Sequence, residues 1–252
     1  MDYEITSAAN PRMKRLARLC RGDREEGLFA VEGRRLVERA LHAGFAPEEV
    51  YGDGTVEIDG LDPVPVAPGV LDRVSYRDRS EGVVAVFRRR ASGLDRVTLG
   101  DPALVLLAEN LEKPGNLGAI LRTADAVGAD AVVTVPGEID VFNPNAIRAS
   151  TGAVFTVPVA AATVGEAKEW LDGHDITLVA ADPMAPRSLW DTDLTGPVAL
   201  MVGAEDVGLT DEARQTADIL VSIPMAGTVD SLNASVSMAL LAYEALRQRS
   251  SL

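Results

Sequence analysis

Six short apolar runs, separated by stretches of helical periodicity, constrain the fold of this 252-residue chain more than any other feature. The runs are rich in Val, Leu and Ala and lie at 104–108, 131–135, 154–159, 177–180, 198–202 and 219–223. Helical patterns begin near Asn116, Asn145, Val164, Asp211 and Ser231. Near-continuous apolar strands alternating with helices are typical of a parallel sheet covered on both faces. The sequence therefore predicts an α/β fold with a mostly parallel sheet and helices on both sides.

The region before residue 91 has a different pattern and predicts a smaller α/β unit. Helical patterns occupy 10–20 and 34–43, and weak strand signals lie at 28–31, 50–51, 64–66 and 83–87. Gly44 suits the end of the second helix, where a left-handed residue often follows. Residues 88–100 begin with three consecutive arginines and Ala-Ser-Gly and show no apolar period. We therefore predict domains at 1–90 and 101–252, joined by a linker at 91–100.

Composition excludes several classes of protein. The single cysteine, Cys20, rules out an internal disulfide and leaves too few thiols for a zinc cage, and no cluster of metal ligands is visible. The chain begins without a charged segment followed by an apolar one, so no secretory signal is evident. Its longest apolar run near a strand, 103–108, is far too short to span a membrane. A cytoplasmic protein without bound metal is expected.

Charge is distributed unevenly along the chain, whose net charge is −14. Up to Arg96 there are 16 basic and 17 acidic residues, and after it 8 basic and 21 acidic. Basic residues at spacings of three and four lie mostly along one side of the first predicted helix: Arg12, Lys14, Arg15, Arg18, Arg21 and Arg24. A second cluster occupies 88–90. A solvated helix face is the alternative interpretation, but the asymmetry favours a nucleic-acid-binding first domain.

The usual nucleotide and nucleophile motifs are missing. No G-x-G-x-x-G follows the first strand of the second domain, and the phosphate-loop spacing of Gly203 and Gly208 is followed by Leu-Thr instead of Lys-Ser/Thr. His42 and His174 fall in separate predicted domains, and no serine lies in a G-x-S-x-G turn. A dinucleotide site, a P-loop and a serine or cysteine nucleophile paired with histidine are therefore disfavoured.

Polar residues gather instead at the predicted strand ends, where open parallel sheets bind ligands. In the stretch 200–236, Gly203 and Gly208 bracket Glu205, and Ser231 and Asn233 lie where the last helix begins. After the first strand of the sheet come Asn110, Glu112, Lys113, Asn116 and Arg122. If Asn116 caps its helix, its side chain faces the crevice and Arg122 reaches it from the second turn. The alternative is that Asn116 only caps the helix and that Arg122 only forms an ion pair at the surface.

Four collinear motifs resemble those of the SpoU (TrmH-like) RNA 2′-O-methyltransferase family of the SPOUT superfamily. They are PGNLGAILRTADAVGAD at 114–130, RASTGAVF at 148–155, MVGAEDVGL at 201–209 and SIPMAGTVDSLNASVSMAL at 222–240. More loosely, ITSAANPRMKRLARL at 5–19 and LFAVEGRRLVERAL at 28–41 are similar to the L30e-like substrate-binding domain found in many members. The resemblance implies a C-terminal trefoil knot, S-adenosylmethionine as cofactor and RNA as substrate.

The resemblance also implies roles for individual residues. The expected cofactor-binding residues are Ala180, Ala181, Val202, Gly203, Gly208, Ile223, Met225 and Leu232. Arg122 corresponds to the residue proposed as catalytic in the family; positioning of ribose and phosphate is the safer role, because a guanidinium gives up its proton with difficulty. Asn116, Glu205, Ser231 and Asn233 would orient the ribose and Arg122. Arg148 is expected to contact a phosphate or the cofactor carboxylate, and its alternative is a solvated helix end.

The expected protein is therefore an RNA ribose-2′-O-methyltransferase that acts as a homodimer. The apolar face of the last helix is wide enough for a dimer contact, and burial within the monomer is an equal alternative. The L30e-like domain favours 23S ribosomal RNA as substrate, with antibiotic resistance as a special case. A transfer-RNA methyltransferase and a non-catalytic RNA-binding assembly factor remain alternatives, and the intact polar set argues against the second.

Overall fold

The structure, a computed structural model, describes residues 3–23, 25, 27–76, 79–136 and 139–250. Arg24, which belongs to the predicted basic face, lies outside these residues. The helices are α1 Pro11–Cys20, α2 Arg34–His42, α3 Pro68–Val74, α4 Pro114–Val127, α5 Pro144–Ala149, α6 Val164–Asp172, α7 Asp211–Thr216 and α8 Ala234–Arg249. The strands are β1 Leu28–Glu32, β2 Pro47–Gly52, β3 Val64–Pro65, β4 Val83–Arg88, β5 Leu104–Glu109, β6 Ala131–Val135, β7 Val159–Ala161, β8 Thr177–Ala181, β9 Val198–Val202 and β10 Ile219–Val221.

The chain forms two compact units, one of which combines Met1–Ala91 with Phe142–Phe155. Its four-stranded sheet has the order β1-β4-β2-β3, antiparallel except for the β2–β3 pair. The first helix starts where predicted, because Asn10 accepts a hydrogen bond from the Arg12 N–H and Pro11 occupies the first turn. Met13 and Leu16 of α1 are fully buried beneath the sheet with Leu71 of α3.

The segment Phe142–Phe155 joins the first unit through aromatic contacts. Phe142 stacks on Phe29 of β1 with ring centroids 4.2 Å apart, and Phe155 lies edge-on to Phe45 at 5.7 Å. Aromatic rings bury large apolar areas and favour such geometries. The predicted second domain, 101–252, includes this segment, so the compact units differ from the predicted boundaries here.

An ion pair between Arg148 and Glu32 adds to the same packing. The side chain of Glu32 is 6% exposed and that of Arg148 17%, and the guanidinium lies 4.5 Å from the ring centroid of Tyr76. Arg148 is thus neither the solvated helix end of the alternative interpretation nor a free cation. It is bound to a carboxylate at the end of β1, and its predicted contact with RNA or cofactor would have to compete with that pair.

The second unit, Ser92–Val141 with Thr156–Leu252, contains the parallel sheet. Its strand order is β10-β8-β9-β5-β6-β7, and every pairing is parallel. From β5 the chain builds outward through β6 and β7, and it then continues on the other side with β8, β9 and β10. The carboxyl ends of β5 and β9 therefore flank the point where the direction of building reverses, which is where such sheets hold ligands.

Alternating residues divide the two faces of this sheet. Val105, Leu107 and Met201 face one side and pack with Leu171 of α6 and Ala213 of α7. Their strand neighbours face the other side, where α4 contacts β5 and β6 and α8 contacts β9. The predicted α/β class with a parallel sheet and helices is confirmed. No helix within the described ranges is long and apolar enough to cross a membrane.

One predicted strand, 154–159, is wrong. Residues Ala153–Phe155 form a 3-10 turn and the strand begins only at Val159. Pro158 has no N–H to donate to a ladder, while its carbonyl accepts a hydrogen bond from the Val132 N–H at 2.9 Å. The apolar residues Val154 and Phe155 are buried in the first unit instead, so apolarity signalled burial and not a strand.

Replacing Arg148 with Met should destabilise the first unit by roughly 3 kcal/mol, because Glu32 would remain buried without its cation. Equilibrium urea unfolding measures the change. Arg35→Met, at an exposed position of α2, is the matched control and should change stability by less than about 0.5 kcal/mol. Adding Glu32→Met to Arg148→Met should recover part of the loss. Equal stabilities for Arg148→Met and its control would show that the pair contributes nothing.

Candidate active site

A cavity of about 350 Å³ lies at the carboxyl ends of β8, β9 and β10 and beside the start of α8. Seven of the eight predicted cofactor-binding residues line it: Ala181, Val202, Gly203, Gly208, Ile223, Met225 and Leu232. Ala180 does not, because it is fully buried in β8 and belongs to the core under α6. Ser231 also lines the cavity and is exposed. The predicted crevice therefore exists as a space of ligand size.

The loop after β9 is shaped by two glycines. Ala204 and Gly208 exchange both backbone hydrogen bonds, at 3.1 and 3.0 Å, so the chain doubles back over a short span. A Cβ added at Gly203 would lie only 2.3 Å from the backbone of Gly208 and 2.4 Å from the Leu209 nitrogen. Gly208 has φ +69°, a conformation that glycine adopts without strain. Only glycine at 203 lets the loop fold this tightly against the cavity.

At the tip of this loop Glu205 joins two helix starts. Its carboxylate accepts hydrogen bonds from Lys113, from Asn116 Nδ2 at 3.0 Å and from Asn233 Nδ2. The two amides also contact each other, Asn233 Nδ2 donating to Asn116 Oδ1 at 3.2 Å. The hydrogen bonds from Lys113 and Asn116 lower the pKa of Glu205 below its usual range. Three of the predicted catalytic residues are thus brought together around an ionised carboxylate.

Asn233 reaches this network because it caps α8. Its Oδ1 accepts hydrogen bonds from the Ser235 N–H at 2.9 Å and the Val236 N–H at 3.4 Å, which fixes the amide and leaves Nδ2 free for Glu205. Asn116, by contrast, does not cap α4. The helix starts at Pro114 with Lys113 as its cap residue, so the expectation of an Asn116 cap is wrong, because proline favours the first helical position. Asn116 faces Glu205 from inside the first turn.

Arg122 lies on α4 two turns further along. It is exposed, makes no hydrogen bond or ion pair with any described residue, and does not line the cavity. Six residues of helix rotate its side chain by about 120° from that of Asn116. Within one chain the structure therefore does not bring Arg122 to the Glu205 network, and its catalytic role stays a prediction.

Sequence reasoning gave no role to three charged residues near these strand ends: Asp182 and Arg214, which line the cavity, and Glu109, which does not. Asp182 follows β8, is 7% exposed, and accepts a hydrogen bond from Arg214 Nε of α7 at 2.6 Å. Glu109, only 1% exposed at the end of β5, accepts hydrogen bonds from Thr210 N at 3.0 Å and Thr210 Oγ1 at 2.6 Å. A carboxylate directly after an apolar strand is the signal that could have found both acids. No cluster of three or more His, Cys, Asp or Glu side chains in the described part of the chain is arranged to hold a metal ion.

Comparison with known families gives two matches. Residues 103–243 match the model of the SpoU rRNA Methylase family, and residues 10–85 match that of the MRM3-like substrate binding domain. The chain belongs to the SpoU rRNA methylase family.

Several relatives of this SpoU protein match it over most of their length. A 23S rRNA (uridine(2479)-2′-O)-methyltransferase of Streptomyces viridochromogenes is 34% identical over 88% of this chain and 84% of its own. A crystal structure of an RNA 2′-O ribose methyltransferase is 44% identical, with a TM-score of 0.86 over 98% and 99% of the two chains. The SpoU methyltransferase AviRb of S. viridochromogenes in complex with AdoMet is 32% identical, with a TM-score of 0.87 over 96% and 99%.

The basic face of α1 lies within the substrate-binding match of the SpoU protein. Arg12 pairs with Glu4 at 2.9 Å, and Arg15 pairs with Glu25 at 2.8 Å and with Glu49. Three other cations of this helix and its end are exposed and form no ion pair with a described residue: Lys14, Arg18 and Arg21. The helix therefore presents fewer free charges than its sequence shows, because two of the residues predicted to bind RNA, Arg12 and Arg15, are partly neutralised.

Gly203→Ala should distort the tight loop after β9 in the SpoU site. The new methyl group overlaps backbone that cannot move aside, so the protein should lose roughly 1 to 3 kcal/mol of stability, and the cavity should lose its ligand. Gly196→Ala is the matched control, because nothing lies within 4 Å of its Cβ position. Thermal unfolding with and without S-adenosylhomocysteine measures both effects. A Gly203→Ala protein that matched the control in stability and ligand-induced shift would show that the close backbone approach at this position is no constraint.

Proposed function

We propose that this chain is an S-adenosylmethionine-dependent RNA ribose-2′-O-methyltransferase that acts on 23S ribosomal RNA. The observation that carries the proposal is the position of the Glu205 network, with Asn116 and Asn233, beside a ligand-sized cavity at the strand ends of a SpoU domain. The match to a 23S rRNA methyltransferase over 88% of this chain supports the choice of RNA over other methyl acceptors and of ribosomal RNA over transfer RNA.

The residues present fit the cofactor. Gly203 leaves a bare backbone where any Cβ would overlap its neighbours, and Ile223, Met225 and Leu232 add an apolar wall suited to an adenine ring. These residues would hold the cofactor together with Ala181, Val202 and Gly208. The volume of about 350 Å³ lies in the range of small-molecule sites. The related AviRb structure contains AdoMet.

The side chains beside the cavity can align a ribose for transfer. The cofactor supplies an electrophilic methyl group on a positively charged sulfur. In-line displacement by a 2′-hydroxyl depends mainly on alignment, which fixed amides and carboxylates provide. Because Lys113 and Asn116 keep the pKa of Glu205 low, this carboxylate accepts hydrogen bonds and does not serve as a proton donor. Asn116, Asn233 and the exposed Ser231 would orient the ribose.

Arg122 would hold an RNA phosphate and the ribose, and its guanidinium would stay protonated during this task. Its exposure on α4, away from the cavity of the same chain, supports a homodimer in which the site is completed between two copies. Exposed apolar side chains on α8, Val236 at 46% and Tyr243 at 51%, support a contact between copies.

The order of the motifs along the chain supports a trefoil knot in the C-terminal part and an L30e-like fold for residues 1–90.

A non-catalytic assembly factor is the alternative from another class. Such a protein needs no ionised carboxylate held by Lys113 and two amides at a cavity, so the intact network opposes this alternative. A transfer-RNA methyltransferase and an antibiotic-resistance enzyme share the proposed chemistry and differ in the target nucleotide.

Incubation with labelled S-adenosylmethionine and separate pools of ribosomal and transfer RNA tests the proposal. Label should enter 23S RNA at a nucleotide whose 3′ bond resists alkali, because a methylated 2′-oxygen cannot attack the neighbouring phosphate. Label confined to transfer RNA would overturn the choice of substrate. Binding of the cofactor without transfer to either pool would favour the assembly factor.

Arg122→Ala should reduce methyl transfer by at least about a hundredfold, in the range typical of single groups that act on a transition state, and leave cofactor affinity unchanged. Arg187→Gln is the control, because Arg187 is exposed and does not line the cavity. Single-turnover rates and calorimetric binding separate the two effects. Full activity in the Arg122→Ala enzyme would remove this residue from the mechanism.

The triple variant Lys14→Ala, Arg18→Ala and Arg21→Ala should bind ribosomal RNA fragments more weakly. Its plot of log affinity against log salt should be shallower by about 2 to 3, since each of three phosphate contacts contributes about 0.7 to 0.9. The double variant Arg12→Ala and Arg15→Ala should change the slope less, because these arginines already pair with Glu4, Glu25 and Glu49. A larger change of slope in the double variant than in the triple variant would show that RNA contacts Arg12 and Arg15.

A further inference from the structure

The cavity in the second unit has an uneven set of charges. Among the described residues that line it, four are acidic: Asp182, Glu205, Asp206 and Asp230. Arg214 is the single basic residue in that lining. A carboxylate group entering such a space meets one cation in the described lining, and that cation is Arg214.

The guanidinium of Arg214 is held in one place. Its Nε donates to Asp182 Oδ2 at 2.6 Å, and its Nη1 lies 3.3 Å from Asp211 Oδ1. The remaining nitrogen, Nη2, donates to no described residue and lies 3.6 Å from the point where a Cβ would stand on Gly208. Since Gly208 has no side chain, no Cβ at this position screens Nη2, and the Arg214 side chain is 36% exposed.

Asp182 holds the guanidinium of Arg214 in this position. The carboxylate is almost fully buried, and its other oxygen accepts the Met184 N–H at 2.8 Å. Burial alone would raise the pKa of Asp182, but the hydrogen bonds from Arg214 and the Met184 N–H outweigh it, and the pKa is lowered. The acid therefore remains charged and holds one edge of the guanidinium while the other edge stays available.

We infer that Arg214 binds the α-carboxylate of the methionine part of the cofactor and that Asp182 is the positioning residue for Arg214. The inference rests on the proposed function. The sulfonium and the α-ammonium of the cofactor are cations and match the acidic lining, whereas its one carboxylate needs a cation. Arg214 determines specificity for ligands that carry that carboxylate.

Two ligands that differ in one group provide the test. S-adenosylhomocysteine carries the carboxylate, and its decarboxylated analogue, S-adenosyl-3-thiopropylamine, keeps the ammonium and lacks only the carboxylate. Calorimetry on the full chain without RNA gives both affinities. The unaltered protein should bind the analogue about ten- to a hundredfold more weakly, as expected for one charge-assisted hydrogen-bonded pair.

Arg214→Gln should lower affinity for S-adenosylhomocysteine by about the same factor and leave affinity for the analogue unchanged. Unchanged binding of the analogue also shows that the variant is folded. Asp182→Asn should give a smaller loss with the same selectivity, because Arg214 stays but is held less firmly. Arg187→Gln, which removes a cation outside the cavity, should bind both ligands as the unaltered protein does.

Three results would overturn the inference. Equal loss of both ligands in Arg214→Gln would give this residue a structural role only. Equal affinities of the unaltered protein for both ligands would show that the carboxylate is not recognised. A loss of RNA affinity in Arg214→Gln with both small ligands unaffected would assign Arg214 to a phosphate. Failure of the unaltered protein to bind S-adenosylhomocysteine at all would instead count against the proposed function.

Discussion

The close approach of backbone at Gly203 to backbone at Gly208 and Leu209 is the contact on which the site depends. The chain turns sharply at the end of β9, and hydrogen bonds between Ala204 and Gly208 close the loop, so that Glu205 lies at its tip. The same turn leaves bare peptide on the cavity wall. A single constraint, the absence of a Cβ, thus creates both the space for a ligand and the position of the carboxylate beside it.

Glu205 in that loop also fixes the starts of two helices. Glu205 holds Asn116 in the first turn of α4 and Asn233 at the cap of α8, so the starts of both helices are fixed relative to β9. On the opposite side, Glu109 holds Thr210, whose hydroxyl caps α7 through the Ala213 N–H at 3.1 Å. Buried or partly buried acids therefore tie helix starts to strand ends. Each of these acids receives hydrogen bonds, which is what keeps a desolvated carboxylate tolerable.

Local patterns predicted much of this unit, because strand and helix periods and glycine positions are local properties. The five correct apolar runs of the sheet and the site residues Gly203, Glu205 and Asn233 follow from such signals. Pairings between distant residues could not be predicted in the same way. Glu32 meets Arg148 and Asp182 meets Arg214 only when the chain folds, and in each pair it is the carboxylate that is buried. The run 154–159 was wrongly predicted as a strand because its apolar residues are buried by distant aromatic rings of the first unit and not within the parallel sheet.

An acidic protein should repel RNA, but the two units differ in which of their charges form ion pairs. In the second unit the acids nearest the network are locally compensated, Glu205 by Lys113 and Asp182 by Arg214, so the net charge overstates the field there. In the first unit the balance is near zero, yet Lys14, Arg18 and Arg21 remain unpaired among the described residues while Arg12 and Arg15 are neutralised. Attraction for a polyanion depends on such unpaired cations and not on the total, because screening confines each charge to about 10 Å.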